Sequence, residues 1–361
     1  MPELAGVCCV PMAGSLVRHT VRFLDGYVPG EQPPPGAGVV KLNTNECPYP
    51  PSPRVLDALR AIGPDALRRY PPPMADDFRA AASLALGVPA DAILAGNGSD
   101  DILTIATRTF LAPADALAFP TPTYSLYQVL ARLQDARIIA VPWADNWSLP
   151  VDGLLASGAR AIYLANPNAP SGTTVPVAAV EELALRFDGA LLVDEAYADF
   201  ADANCLELPF RRPNVIVVRT MSKSYALAGI RFGFAVANPD VIRQMAKVKD
   251  SYNCDAVAIA AATAALADQE YARSIWERIR AERERLTCLL DERGWHVLPS
   301  QANFVLATVP GGDASRALLA LKKRGILVRH FDAPGLQDKL RITVGSPEQT
   351  DALVAAIDAG P

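Results

Sequence analysis

Between Lys41 and about Val248 the sequence repeats one rhythm: a short apolar run, a polar or glycine-rich turn, then a helical stretch. The runs are AILAG at 92–96, ALAFP at 116–120, RIIAVP at 137–142, AIYLANP at 161–167, ALLVDE at 190–195, VIVVRT at 215–220 and GFAVA at 233–237. Most of them do not alternate apolar with polar residues, which is how strands covered on both faces read. Stretches such as SDDILTIATRTF, PVAAVEELALRF and NPDVIRQMAKV lie between them and have helical composition. The rhythm predicts an α/β fold with a mostly parallel, seven-stranded sheet between helices.

After Asp255 the character changes. An amphipathic stretch over 271–293 puts Ile275, Ile279, Leu286, Leu289 and Leu290 on one stripe with Glu and Arg between them. A strand (NFVLATV), a helix over 314–324, two short strands (ILVRH and LRITVG) and a last helix after Pro347 follow. The expected organisation is an irregular N-terminal arm over 1–40 that joins the small domain, a large domain over 41–254, and a small α+β domain over 255–361.

Composition narrows the chemistry. Half of the 361 residues are hydrophobic and the net charge is −5, so a large core is possible and there is no basic excess for a nucleic-acid partner. No apolar run approaches the roughly 18 residues of a membrane span. The N-terminal VCCVPMAG has no leading positive region, so neither a signal peptide nor an anchor is expected, and the expected location is the cytoplasm. Cys8, Cys9, Cys47, Cys205, Cys254 and Cys288 form no CxxC pair, and His19, His296 and His330 are scattered, so no metal site is expected. There is no GxSxG elbow for a serine hydrolase and no GxGxxG for a nicotinamide dehydrogenase. Forty irregular residues are too few for an added DNA-binding domain. Chemistry is left to a cofactor, or to Lys, Asp, Tyr and Arg.

Ligand-binding groups of α/β sheets gather at the carboxyl ends of the strands. Each run here ends in such a turn: GNGSDD after AILAG, TPTYSLY after ALAFP, NAPSG after AIYLANP, EAYADF after ALLVD, and MSKSYALAGIRFG after VIVVRT. GNGSDD suits an anion, with glycines for close approach and Ser99 as the cap of a helix whose free N–H groups favour negative charge. Asp100 and Asp101 oppose that charge, so a cation must come from elsewhere. Asp194 ends a buried strand, where it serves either as a rim carboxylate or as an ordinary helix cap. Lys223 is one of only seven lysines against 27 arginines and sits among small and hydroxyl residues. A lysine so desolvated loses its proton readily and becomes nucleophilic.

Taken together, KLNTNECPYPPSP, RRYPPP, GNGSDD, PTYSLY, NPNAPSG, LLVDEAYADF, TMSKSYALAGIRFGF, NFVL and LVRHF…LRITVGS resemble the fold-type I pyridoxal-phosphate aminotransferases, most closely their histidinol-phosphate branch. The resemblance runs from about Tyr27 to the C-terminus. It implies pyridoxal 5'-phosphate as cofactor, with a small-molecule amino donor and a 2-oxo acid as substrates. Lys223 would form the internal Schiff base and then shuttle the proton between substrate Cα and cofactor C4′. Asp194 would hold the pyridine nitrogen, Tyr197 would donate to the phenolic oxygen, and Tyr124 would stack on the ring. Gly98, Ser99 and Asp100 with Thr220, Ser222 and Arg231 would hold the cofactor phosphate, joined by Tyr70 from the second subunit of a homodimer. Asn45 and Tyr27 would contact substrate. Arg341 would lie at the α-carboxylate position, and Arg329 would meet the distal anion.

The family commonly has a second Asn before the PTG turn; here Ala169 stands there, leaving Asn166, Asn168 or Tyr197 alone to serve the phenolic oxygen. Cys47 likewise stands where an Asn is usual. The implied reaction converts L-histidinol phosphate and 2-oxoglutarate to imidazole acetol phosphate and L-glutamate, a step of histidine biosynthesis. An aromatic amino-acid aminotransferase and a phosphoamino-acid decarboxylase of the same fold are the alternatives.

Overall fold

The computed structural model describes residues 16–34 and 36–360. Cys8, Cys9, the VCCVPMAG segment and Pro35 lie outside the described residues. Strand β1 (Val40–Lys41) comes first, followed by the seven expected strands. These are β2 (Ile93–Gly96), β3 (Ala116–Thr121), β4 (Arg137–Pro142), β5 (Ala161–Ala165), β6 (Ala190–Asp194), β7 (Val215–Thr220) and β8 (Gly233–Ala237). They form one sheet in the order β2-β8-β7-β6-β5-β3-β4. Only β8 runs against its neighbours, pairing antiparallel with both β2 and β7.

The missing alternation has a direct cause. Leu191, Val193, Val215 and Val217 enter one apolar cluster, while Leu192, Ile216 and Val218 enter the cluster on the opposite face. Successive side chains of a strand point to opposite faces, so a strand covered on both sides must be apolar throughout.

Strands β9 (His296–Val297), β10 (Phe304–Thr308), β12 (Arg329–His330) and β13 (Lys339–Thr343) make an antiparallel sheet in the order β12-β13-β10-β9. Strand β11 (Ile326–Leu327) instead pairs in parallel with β1. Val328 divides the single expected run ILVRH into two pairings, so that residues 40–41 form a separate two-stranded sheet with β11 while β12 belongs to the antiparallel one. A third apolar cluster lies here, including Leu42, Val305, Ile342 and, from the long helix Gln269–Asp291, Ile275, Ile279, Leu286 and Leu290.

Two features depart from the sequence pattern. The helix Ala256–Ala267 follows residue 254 but packs against helices Pro53–Arg60 and Asp76–Leu86, and its Ile259 and Leu266 belong to a core cluster of the large sheet. On the long helix, Glu282 and Arg283 are buried rather than solvated. The Arg283 guanidinium donates to the carbonyls of Phe200 (3.3 Å) and Ala302 (2.9 Å). Those bonds offset the cost of burying the charge.

The sheet holds its ligand-facing edge by close backbone contact. A Cβ on Gly233, in β8, would lie 2.5 Å from the Ser99 nitrogen, 2.7 Å from the Gly98 carbonyl carbon and 2.9 Å from the Arg219 oxygen. All three are backbone atoms that cannot swing aside. Gly233→Ala is therefore expected to destabilise the fold by about 1–3 kcal/mol. Denaturant unfolding checks this, and an unchanged midpoint would refute the close contact.

Candidate active site

The strand-end turns meet in a cavity of about 550 Å³ between the two sheets. Lys223 and Asp194 line it, with Ser99, Asp100, Tyr124, Tyr197, Thr220, Ser222 and Arg231 from the large sheet's edge. Tyr27 and Asn45 enter from the N-terminal segment, and Arg329 and Arg341 from β12 and β13. Three expected residues do not line the cavity: Gly98, which backs onto the Arg231 guanidinium, Asn168, and Tyr70, which was expected to serve a second copy. Tyr70 is 80% exposed, outside the cavity, and stacks on Tyr252 with ring centroids 4.3 Å apart. Asn168 is bonded to Ser171 and to the turn after β3, as described below.

Lys223 Nζ donates to the Thr44 carbonyl at 3.0 Å. Burial, aided by the positive charge of Arg341, brings its amine down to about 8. A substantial neutral fraction therefore exists near physiological pH. Asp194 is 6% exposed and accepts from the Tyr127 hydroxyl at 2.8 Å and the Ala196 backbone N–H at 3.1 Å. Desolvation nevertheless pushes its carboxyl up to about 6. A buried carboxylate in this state is relieved by a cationic partner, which is what a protonated ring nitrogen would be.

The anion-binding turn differs from expectation in one respect. Ser99 is not the cap: Gly98, at φ 87°, holds that position with no side-chain cap, and Ser99 is the first residue of helix Ser99–Phe110. The left-handed glycine turns the chain one residue earlier, leaving the first helical N–H groups without a side-chain acceptor. The required cation is present. Arg231, itself at φ 57°, donates to Ser222 Oγ at 3.2 Å, and its guanidinium lies 3.6 Å from Asp100. A Cβ on Gly98 would come within 2.7 Å of the Arg231 guanidinium, so the glycine keeps this cradle open. Thr220 Oγ1 accepts from the Ser222 N–H at 3.2 Å. Two hydroxyls, a guanidinium and a helix N-terminus on one rim fit a phosphate.

Around the ring-sized part of the cavity, Tyr124 packs edge-on against Tyr27 and Tyr127 and donates to Asp100 at 3.2 Å. Neither Asn166 nor Asn168 takes up the role left open by Ala169. The Asn168 amide is spent on Pro122 and Ser171 with Thr123 donating to it, and the Asn166 amide pairs with Val175. Tyr197 is left beside Ala169 and accepts from Asn45 Nδ2 at 2.9 Å.

Arg341 donates to the Asn43 carbonyl at 3.1 Å, while its buried Nε has no partner among the described residues. Phe304 and Phe331 flank its guanidinium at 5.2 and 5.3 Å. Arg329 donates to the carbonyls of Val28 (3.1 Å) and Pro29 (3.2 Å). The cavity thus presents two guanidiniums opposite a phosphate-type cradle. It suits a ligand with an anion at one end and, separately, a small amine carrying one or two further anionic or polar groups.

Sequence reasoning passed over three contributors. Tyr127 is the second tyrosine of the PTYSLY turn, and its apolar spacing along helix Leu126–Leu133 hides a hydroxyl aimed at Asp194. Arg219 sits in β7, 5% exposed, and bridges Glu195 (2.8 Å) and Asp199 (2.7 Å), joining the strand before Lys223 to the loop after Asp194. Thr44 offers Lys223 only a carbonyl, which no side-chain pattern can reveal.

Residues 37–357 match the family described as aminotransferase class I and II. A histidinol-phosphate aminotransferase of Trichormus variabilis is 47% identical over 94% of this chain and 97% of its own length. That of Rhodopirellula baltica is 48% identical over 94% of each. Among solved structures, histidinol-phosphate aminotransferase from Sinorhizobium meliloti, in complex with pyridoxal-5'-phosphate, aligns with a TM-score of 0.83 at 30% identity, covering 88% of this chain and 90% of that one. With the site geometry and these matches over nearly its whole length, the chain belongs to the class I and II aminotransferase family.

Proposed function

We propose that this chain is a pyridoxal-5'-phosphate-dependent transaminase acting on L-histidinol phosphate and 2-oxoglutarate and yielding imidazole acetol phosphate and L-glutamate. The observation that carries the reading is the pairing, in one cavity, of a buried lysine lowered to about 8 with a buried carboxyl raised to about 6. Each is poised for a partner that an aldehyde-bearing pyridine provides. The names of the relatives support the donor, and the two guanidiniums suit its phosphate and polar ends. When bound, the cofactor supplies a carbonyl that amines can condense with and a ring that accepts an electron pair.

This chain's own residues divide the remaining work. Ser99, Thr220, Ser222 and Arg231, with the N–H groups after Gly98, would hold the phosphate, and Asp100 would orient Arg231. Asp194, kept in place by Tyr127, would hold a proton on the ring nitrogen, and Tyr124 would cover the ring face. Lys223 Nζ, once neutral, takes the proton from the α carbon of the bound amine and later returns one. Arg341 would orient the end of the donor next to the reacting carbon, and Arg329 would receive its phosphate or the distal carboxylate of glutamate. Tyr27 would close the cavity against water.

We further propose a cytoplasmic homodimer built on large domains spanning 41–254, with the helix Ala256–Ala267 packed on them, and small domains from the long helix onward joined by the arm. Among the described residues no helix is long and apolar enough to cross a membrane. Tyr70, exposed on the surface beside Tyr252, would reach the cofactor phosphate of a second copy. Sedimentation of the purified protein should give a dimer, and Tyr70→Phe should weaken cofactor retention. A monomer with full retention refutes this.

Labelling of Lys223 by an amine-reactive reagent, followed by peptide mass spectrometry on cofactor-free protein, should rise with pH through a midpoint near 8. The neutral amine is the reactive form, so labelling is lost below that pH. Removing the neighbouring positive charge in Arg341→Met should move the midpoint upward; a midpoint at the ordinary lysine value in the parent would remove the basis for the reading.

A kinetic panel should show L-histidinol phosphate preferred over phenylalanine, tyrosine and threonine phosphate, with a keto product and no release of CO₂. Arg329→Ala should lower kcat/KM for the phosphorylated donor by about 10–100-fold more than for phenylalanine, the worth of a hydrogen bond to a charged group. Equal losses for both donors, or an aromatic preference in the parent, would reject the substrate assignment.

A further inference from the structure

Asn45 occupies an unusual position. Its φ is 56°, in the left-handed region that asparagine tolerates better than most side chains, and it is 1% exposed. Four hydrogen bonds define it. Its backbone N–H donates to Thr343 Oγ1 at 3.0 Å, and the Thr343 hydroxyl donates back to Asn45 Oδ1 at 3.2 Å. Asn303 Nδ2, fully buried, donates to the Asn45 carbonyl at 2.9 Å. Asn45 Nδ2 then donates to the Tyr197 hydroxyl oxygen at 2.9 Å.

The direction of this chain follows from counting protons. The backbone N–H of Asn45 must donate, so the Thr343 oxygen is an acceptor there and its one hydroxyl proton needs another acceptor. Asn45 Oδ1 is that acceptor, and the amide is thereby oriented with its NH₂ group toward Tyr197. If the amide were reversed, the Thr343 proton would have no acceptor among the described residues. With its oxygen accepting from Asn45, Tyr197 keeps its own proton free, and that hydroxyl has no other partner among the described residues. The side chain lines the cavity beside Ala169, where no amide is available to share its work.

We propose that Thr343 is a positioning residue of the reaction: acting through the Asn45 amide, it holds the Tyr197 hydroxyl with its proton directed into the cavity. Thr343 is 3% exposed, in β13, and touches neither substrate nor cofactor space. Arg341, two residues earlier on the same strand, does line the cavity. One short strand would thus supply both a substrate-binding guanidinium and the orientation of a tyrosine on the other sheet's edge. Without the Thr343 hydroxyl the amide is free to turn over. Tyr197 would then donate to Asn45 Oδ1 and withdraw its proton from the cavity.

The inference rests on the reading that Tyr197 donates to the phenolic oxygen of the bound cofactor. The groups facing Tyr197 that can also affect a titration are Arg341 from β13, Asp194 from β6, Tyr27 from the N-terminal segment and Tyr124 from the turn after β3. None of them is altered in the experiment. A donor to that oxygen stabilises its anionic form, so losing the donor raises the pH at which the Lys223-linked cofactor gives up its proton.

The test is a spectrophotometric pH titration of the holoenzyme's visible band in the parent, Thr343→Val and Thr343→Ser. Thr343→Val, which keeps the shape and removes the hydroxyl, should move the inflection upward by about one to two pH units, the scale of one hydrogen bond to a charged group. Thr343→Ser, which restores the hydroxyl, should titrate like the parent. An inflection in Thr343→Val that coincides with the parent's, or a Thr343→Ser shift as large as that of Thr343→Val, overturns the proposal. Should Thr343→Val fail to fold, Thr343→Ala removes the same hydroxyl without adding a charge: the inflection must again rise, and an unmoved one is equally fatal. A parent that forms no visible band with pyridoxal 5'-phosphate would instead refute the cofactor reading, so the two failures are distinct.

Discussion

A sheet covered by apolar layers on both faces cannot place a charged group along its strands without stranding it in a dry interior. Charge is confined to the strand ends, and parallel strands put all their carboxyl ends on one edge. Five neighbouring strands, β4, β3, β5, β6 and β7, obey this constraint, and the turns that follow β3, β5, β6 and β7 line the cavity. Desolvation there does the chemical tuning. It lowers Lys223 and raises Asp194 by the same mechanism, because in each case it disfavours the charged form.

Such an edge needs rigid support. Arg219 supplies part of it by tying Glu195 and Asp199 to β7, and Ser224, next to Lys223, also donates to Asp199. The long helix reaches the same region: Trp276 donates to the Ser224 carbonyl at 2.8 Å and Arg280 to the Asp199 carbonyl at 2.9 Å. Removing one partner from so buried an ion cluster leaves an uncompensated charge and costs several kcal/mol. The lysine loop, the carboxylate loop and the helix that begins the smaller core are therefore fixed relative to one another by polar contacts inside an apolar surround.

The large sheet was legible because its constraint is written in composition: seven apolar runs became seven strands, with ends shifted by a residue or two. The helix Ala256–Ala267 was not, because AVAIAAATAALA is apolar all round and carries no amphipathic period to read. Arg283 misled in the opposite direction, since an arginine on a helix ordinarily marks the solvated face, and only the tertiary structure brings the Phe200 and Ala302 carbonyls to it. In the site, residues that act through side chains at strand ends stood out. Those that act through a backbone carbonyl, as Thr44 does, or through an intermediary, as Thr343 does, leave no trace in residue type. Asn168 shows the converse. Its amide had the right chemistry, yet both of its N–H donors are taken, by Ser171 of its own turn and by Pro122 of the turn after β3, and its oxygen accepts from Thr123.

The bond from Lys223 to the Thr44 carbonyl crosses from the large sheet's edge to the segment that follows β1, the strand paired with β11. Its donor is the very nitrogen that transamination occupies and releases in every turnover. One of the contacts on residues 43–45 is consequently present only while that amine is idle, whereas the bonds of Asn43 to Arg341 and of Asn45 to Thr343 and Asn303 do not involve it. One part of the grip across the cavity is thus made and released by the catalytic nitrogen itself, while Asn45 to Tyr197, Trp276 to Ser224 and Arg280 to Asp199 hold independently of it.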